Sequence, residues 1–363
     1  RIEPGDPRPE ETSPLSRRGF LGENVDVELR ELFVEKAVGP VFLRIGKQQI
    51  VWGESDGLKV LDVVNPQDFR EFILDEFEDS RIPLWAVNIE VPVGPLVAEL
   101  LWVPDPSFHE IPGSDAEFAF AAERFLPPSR RGFIPALGAE ERPQGMLDDG
   151  DAGLRLTSHV EGVDLSLVYL YRYDDRPVFR ASEGVSPQGP VLFFTPQYKR
   201  THLVGGTFST AWGNLTVRGE AALQTDRFLS TTDPSDSDAL VEEPELSTVL
   251  GLDWFGFRRT FLSLQVFQTF LLGNASGLLQ DRVDTNFTFF AQRSFRHERV
   301  RLEGIWLQNL NDGDGLLRPR VVVEVRDGVD VWLGGDVFYG NRDGIFGQFD
   351  AKDRVTLGVR WGF

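Results

Sequence analysis

The sequence predicts an all-β protein: a transmembrane, antiparallel, up-and-down β-barrel of about 16 strands when complete, about 15 of them in this chain. Three observations predict it. About fifteen segments of roughly 8 to 14 residues alternate with a period of two, the length a tilted spanning strand needs. The connections between them alternate short and long through the chain. The last segment alternates strictly, with Val355, Leu357, Val359, Trp361 and Phe363 on one face and Arg354, Thr356, Gly358, Arg360 and Gly362 on the other.

Composition agrees. The 363 residues include 29 Phe and 8 Trp but no Cys, which excludes a disulfide framework and any Cys-based zinc or redox site. The 36 Gly and 23 Pro suit many turns and disfavour a helical protein. No apolar run approaches the roughly 18 residues of a spanning helix, as expected if each spanning strand is apolar on one face only. A net charge of -20 disfavours nucleic acid as a partner and suits acidic loops facing solvent or divalent cations. The start, Arg1-Ile2-Glu3-Pro4-Gly5-Asp6-Pro7, reads as the interior of a precursor whose targeting segment has been removed.

In order, the strand segments fall near 24–35, 41–52, 83–92, 95–104, 152–161, 163–173, 198–212, 214–226, 246–257, 259–271, 281–293, 299–309, 317–326, 329–339 and 354–363. In 163–173, Val163, Leu165, Leu167, Tyr169 and Tyr171 oppose Asp164, Ser166 and Arg172. In 214–226, Leu215, Val217, Ala221 and Leu223 oppose Thr216, Arg218, Glu220 and Gln224. In 317–326, Val321, Val323 and Val325 oppose Arg320, Glu324 and Arg326, and in 329–339 Val329, Val331, Leu333 and Val337 oppose Asp330 and Asp336. Polar faces of both signs on successive strands suit a wet, charge-laced lumen. Short turns sit near 38–40, 93–95, 161–162, 213–214, 257–258, 294–298 and 327–328. Longer loops span 53–82, 105–151, 174–197, 227–245, 272–280, 310–316 and 340–353. That rhythm matches periplasmic turns and extracellular loops. Residues 1–363 are thus expected to form one barrel domain. Because a single-chain barrel normally has an even strand number, parity predicts an upward strand before residue 24, with 1–23 as the loop that follows it.

The C-terminal segment resembles the closing strand of a bacterial outer-membrane barrel, in which the terminal aromatic, here Phe363, is the assembly signal read by the barrel-assembly machinery. Arg44-Ile45-Gly46-Lys47-Gln48-Gln49-Ile50-Val51-Trp52-Gly53-Glu54-Ser55, with Asp62-Val63-Val64-Asn65-Pro66-Gln67-Asp68 and Ile82-Pro83-Leu84-Trp85, resembles an uncharacterised family of proteobacterial outer-membrane barrels. Members are often encoded beside RND-type exporters of hydrophobic molecules and share a "G-K/R-Q…W-G" strand with alginate-export porins. The resemblance covers residues 44–85 in motif and the rest in barrel pattern alone. It implies envelope transport in a Gram-negative outer membrane, among lipids and lipopolysaccharide, with an RND-type export system as a partner. It implies no catalytic residue and leaves the substrate open.

Several motifs carry candidate chemistry. Gly53-Glu54-Ser55-Asp56-Gly57 matches G-x-S-x-G, but that nucleophile elbow needs an α/β-hydrolase sheet, and no βαβ rhythm is present. A strand-to-loop turn is the expected reading, and no enzyme activity is predicted. Segment 67–79 reads as an acidic amphipathic helix with Phe69, Phe72, Ile73 and Phe77 on one face. Following Trp52, it is expected to fold inward as a lumen constriction, the alternative being an external loop helix. In the long extracellular loop 105–151, Phe118, Phe120 and Phe125 lie near Arg124, Arg130 and Arg131, with a short helix expected near 115–124. Such a set suits either loop packing or an amphipathic ligand with an anionic head. Asn311-Asp312-Gly313-Asp314-Gly315 lacks the terminal Glu of a calcium loop and reads as a turn, as do Asp148, Asp149 and Asp151. Arg44, Arg155, Arg172, Arg218, Glu220, Arg320, Glu324, Arg326, Asp330, Asp336, Arg354 and Arg360 are the candidate lumen charges, a selectivity ladder, a wall-holding network or both.

With no metal, cofactor or energy-coupling motif, the sequence predicts an outer-membrane channel for selective passive transport of a small hydrophobic or amphipathic molecule. The alternatives are a general diffusion porin and a non-transporting scaffold or partner of an envelope export system.

Overall fold

A computed structural model describes residues 13, 15–16, 18–20, 25–143, 145 and 147–362. Among them, fifteen strands form one sheet: β3 (Leu32–Val38), β4 (Val41–Gln48), β5 (Leu84–Val93), β6 (Leu96–Val103), β8 (Asp151–Val160), β9 (Val163–Tyr173), β12 (Arg200–Trp212), β13 (Leu215–Ser230), β14 (Leu240–Trp254), β15 (Thr260–Leu271), β16 (Val283–Phe295), β17 (Val300–Asn309), β18 (Gly315–Arg326), β19 (Val329–Tyr339) and β20 (Arg354–Trp361). Each pairs antiparallel with the next in this order. This is an up-and-down meander, with β3 and β20 as its edge strands, and a separate two-stranded pair, β1 (Gly19–Phe20) and β2 (Asp26–Val27), precedes it.

Laid flat, fourteen inter-strand gaps of about 4.8 Å would spread the sheet over roughly 70 Å. Yet the segment joining β4 to β5 contacts strands along almost the whole sheet. Its residues bond to Glu220 on β13, Gln265 on β15, Arg318 and Arg320 on β18, and Arg354 on β20. The sheet therefore curls around this segment, as a barrel wall does.

The two faces agree with a lipid setting. On β20, Val355, Leu357, Val359 and Trp361 are 81%, 76%, 64% and 68% exposed, an apolar row that water would not tolerate but hydrocarbon does. Leu165, Leu167, Val204, Leu250, Leu252, Leu264 and Val266 continue the row around the wall. The opposite, charge-bearing face is the inner one.

Four expectations change. Strand 24–35 begins only at Leu32, because Glu28 and Glu31 leave the ladder: Glu28 pairs with Arg18 and Lys47, and Glu31 accepts the N–H of Gln49. Loop 174–197 is a hairpin of β10 (Val178–Ser186) and β11 (Gly189–Gln197), joined in parallel by β7 (Ile134–Leu137) from loop 105–151. This small sheet stands off the main one and buries Ala181, Leu192 and Phe194 against Ala239. The helix expected over 67–79 shrinks to Phe77–Ser80. Its backbone is claimed elsewhere: Asp68 N–H donates to Ser80 O (2.7 Å), Phe69 N–H to Glu110 O (2.9 Å), and the Ile73 and Leu74 carbonyls accept from Arg318. The helix expected near 115–124 is one 3₁₀ turn, Glu123–Phe125, because Gln348 takes the N–H groups of Ala121 and Ala122. The expected loop 1–23 and Phe363 lie largely or wholly outside the described residues.

The lumen also differs from the wet channel expected. Period-two strands put some apolar residues on the inner face, and the internal segment covers them. Ile50, Trp52, Val60, Leu61 and Val64 pack against Leu84, Ala86, Leu101, Val103, Val168, Leu170, Leu203, Ala222, Val249 and Phe267. Phe72 and Leu74 pack with Phe118, Leu307, Leu316, Phe338, Phe346 and Phe349. Apolar burial, at roughly 25 cal/mol per Å², is thus the main force holding the segment inside.

Candidate lumen site

Segment 49–83 leaves β4 where Gln48, fully buried, donates to the Ala86 carbonyl. Asn65 then ties the segment to itself: its side chain accepts the Ile50 N–H (2.7 Å) and donates to Ile82 O (2.9 Å), closing the two ends together. Trp52 is 2% exposed and its indole N–H donates to Glu99 (3.1 Å). It fits because Gly153 on β8 has no side chain: a Cβ there would stand 2.4 Å from the Trp52 ring.

Beyond Trp52 the chain meets β13. Both carboxylate oxygens of Glu220 accept backbone N–H groups, those of Glu54 and Leu61, so one inward side chain of the wall caps both arms of a bend. Arg218, two residues away on the same face, donates to the Glu54 carbonyl and pairs with Asp56 and Asp253. Gln265 accepts the Asp56 N–H (3.1 Å). Gly57 sits at φ +94°, and a Cβ there would lie 2.8 Å from Thr288 of β16. Glycine is needed at this position for both reasons. Ser55 donates to the Leu58 carbonyl (3.0 Å), a turn contact, in keeping with the turn reading of the G-x-S-x-G match.

On the far side, Arg318 donates to the Leu74 carbonyl (2.6 Å) and pairs with Asp336 (2.7 Å). Arg354 bridges Asp336 (2.7 Å) and Glu71 (2.5 Å), and Arg320 pairs with Glu76 (2.9 Å). Phe72, at φ +53°, stacks into the aromatic group, 4.7 Å from Phe349 by ring centroids.

The crown is polar and buried. Arg18, 7% exposed, pairs with Asp68 (3.3 Å) and Glu110 (2.8 Å). His109 Nδ1 accepts the Gln67 N–H (2.9 Å). Burial, with Arg176 and Arg172 nearby, holds the His109 imidazole well below its usual pKa, so it is the neutral acceptor that bond needs. Burial pushes the Glu110 carboxyl up to about 7 against the opposing pull of Arg18, and pushes Asp175 up to about 7 against that of Arg172.

Of the residues singled out from sequence, Trp52, Phe72, Arg218, Glu220, Arg320, Arg354 and Asp336 come together on or around the segment. Phe69 lies at the crown, edge-on to His109 at 5.0 Å. Phe77 opens the short helix, and its side chain lies outside what is described. Arg172 donates to the Val63 carbonyl and pairs with Asp175, and Arg155 pairs with Glu99 (2.8 Å) and donates to Val51 O. Arg44 sits apart, paired with Glu35 on the neighbouring edge strand. Asp330 pairs with Arg301 (3.0 Å). Glu324, Arg326 and Arg360 lie toward the Asp327-Gly328 turn, with a register shift between Glu324 and Arg326. In loop 105–151, Phe118 is in the aromatic group with Phe120 beside it, while Arg124 pairs with Asp312 (2.5 Å) and Arg130 with Glu183 (3.0 Å). Asp314 accepts the N–H groups of Phe346 and Gly347, fixing loop 340–353.

Sequence reasoning did not single out Glu99, Arg318 or Asn65. Arg318 carried a signal, since two residues before Arg320 is the same face. Glu99 did too, as the lone carboxylate among Leu96, Leu100, Leu101 and Trp102.

An antiparallel wall with a lipid-compatible outer face, curled around one of its own connecting segments, defines a transmembrane β-barrel with a filled lumen. The chain belongs to the family described as "Protein of unknown function (DUF1302)", matched over residues 21–277. Among solved structures, a mutant of the Rh. blastica porin aligns over 91% of this chain and 88% of that chain, at 13% identity and a TM-score of 0.41. The Ralstonia pickettii toluene transporter TbuX aligns over 79% of this chain and 84% of that chain, at 8% identity and a TM-score of 0.35. Comparison with curated proteins finds no match.

Proposed function

We propose that this protein is an outer-membrane channel that passes a small hydrophobic or amphipathic molecule selectively and passively. The observation that carries the proposal is the filling of the lumen by segment 49–83 through two apolar clusters, one on each side of the barrel. A general diffusion porin needs a standing water column, and this packing opposes one. A solute that crosses such a lumen must exchange contacts with apolar and aromatic side chains, which favours molecules that can supply them. Arginines beside the aromatic group suit an amphipathic solute better than a wholly apolar one. An RND-type export system is the partner that the sequence resemblance implies.

The test is uptake by proteoliposomes. The proposal expects an amphipathic aromatic or medium-chain solute to equilibrate much faster than a sugar of equal mass. Equal, rapid passage of both would make the protein a general porin. Passage of neither, in protein shown to be folded, would support the scaffold reading instead.

A further inference from the structure

The two sides of the lumen hold segment 49–83 differently. On the β13 side the anchor is Glu220, 5% exposed and bound to two backbone N–H groups. On the β18–β20 side it is a set of ion pairs whose acidic partners on the segment, Glu71 and Glu76, have side chains 46% and 55% exposed. Exposed pairs of this kind are weak and screened by salt. The wall there carries three arginines, Arg318, Arg320 and Arg354; Asp336, 3% exposed, is shared by Arg318 and Arg354, and Glu303, opposite Arg320 in register, pairs with Arg301. If residues 71–76 moved away, Arg320 would lose Glu76 and Arg354 would lose Glu71, keeping only the Asp336 it shares with Arg318. Phe118 lies under Arg354, 5.6 Å from its guanidinium to the ring centroid, and continues into Phe338 and Phe349. The segment itself is crowded with like charge: burial, with Asp68, Glu71 and Asp79 near, pushes the Asp75 carboxyl up.

Building on the selective-channel reading, we propose that Arg318, Arg320 and Arg354 form the binding site for the anionic head of an amphipathic substrate, with Glu71 and Glu76 as the built-in occupants that the substrate displaces. The apolar body of the substrate takes the place of Phe72 against Phe118, Phe338 and Phe349. A carboxylate head suits guanidinium groups by geometry and charge. A ligand that binds these arginines only when Glu71 and Glu76 have left them shifts the segment toward its open position, by its differential affinity for the two states. Glu220 stays bound throughout and acts as the hinge.

The experiment is conductance in a neutral phosphatidylcholine bilayer, with decanoate and decanol as matched probes. Decanoate is expected to raise the open fraction of the intact channel and decanol to leave it unchanged. The double variant Glu71→Gln, Glu76→Gln keeps side-chain shape and is expected to open about three- to ten-fold more often without ligand. Arg320→Gln is expected to weaken the decanoate response. Equal opening by decanoate and decanol would overturn the inference while leaving selective transport standing. So would a double variant as closed as the parent that still responds to decanoate. Opening on addition of anionic phosphatidylglycerol alone, with no decanoate response, would also overturn it. A channel steadily open with no amphiphile present would instead remove the selective-channel reading on which the inference rests.

Discussion

Replacing Glu220 by alanine removes the acceptor of two buried N–H groups, those of Glu54 and Leu61. A buried donor left unpaired costs about 1–3 kcal/mol, so the bend loses about 2–6 kcal/mol of local stability. At about 1.4 kcal/mol per factor of ten, the segment should open roughly 30-fold to 10⁴-fold more often. Water reaching the freed groups would hold the effect toward the lower end. Arg218 remains tied to Asp253 and keeps the wall itself in register. The assay is amide hydrogen exchange at residues 54–61 of the protein in lipid nanodiscs, with the ladders of β14 and β15 as internal reference. Faster exchange at 54–61 with unchanged ladders is expected. Glu220→Gln, which keeps one carbonyl oxygen, should fall between the two. If the alanine variant exchanges at 54–61 within about three-fold of the parent, less than 1 kcal/mol by the same conversion, then Glu220 does not anchor the segment and the reasoning fails.

Three further outcomes follow from the geometry. Gly153→Val should expel Trp52, because the new Cβ would overlap its ring; acrylamide quenching of tryptophan emission should rise while the barrel stays folded. Gly57→Ala combines positive φ with a 2.8 Å approach to Thr288, so it should destabilise residues 54–61 in exchange measurements by about 1–3 kcal/mol without changing strand protection. The crown should loosen as pH rises from 6.5 to 8. Glu110 and Asp175 have folded pKa values raised to about 7, so the folded state holds more protons than the unfolded state up to that pH and stability falls as they are lost. His109 is lowered below 6.5 and acts oppositely, but its unfolded form is already half neutral at pH 6.5, so over this window it offsets only part of the loss from the two carboxyls. Exchange at residues 105–110, corrected for intrinsic base catalysis, should therefore accelerate over that window, and Asp175→Asn should flatten the rise.

The wall was legible in the sequence because a period of two is a direct image of a strand between lipid and lumen. Leu165-Ser166-Leu167 or Val323-Glu324-Val325 shows which residues share a face. The pattern does not say what fills the inside. Val168, Leu170 and Phe338 fall on the polar face of their strands, and the segment residues in their clusters, Ile50 to Val64 and Phe72 and Leu74, lie more than about 100 residues earlier in the chain. The helical spacing of Phe69, Phe72 and Ile73 was real as a pattern, but hydrogen bonds to Ser80, Glu110 and Arg318 outbid helix formation. The hairpin β10–β11 escaped notice because Arg180, Ser182 and Gly184 break its apolar rows and Pro190 and Pro196 sit in its second strand. Alternation groups Arg172 and Arg218 with the polar face of their strands, whereas their bonds to the Val63 and Glu54 carbonyls depend on how segment 49–83 folds.

The most direct test of that segment's role is single-channel conductance of the intact protein in a planar bilayer, beside a variant lacking residues 54–79. The account predicts little steady conductance from the intact protein and large, stable steps from the deletion variant. Large steady conductance from the intact protein, or a deletion variant that folds and stays closed, would contradict it.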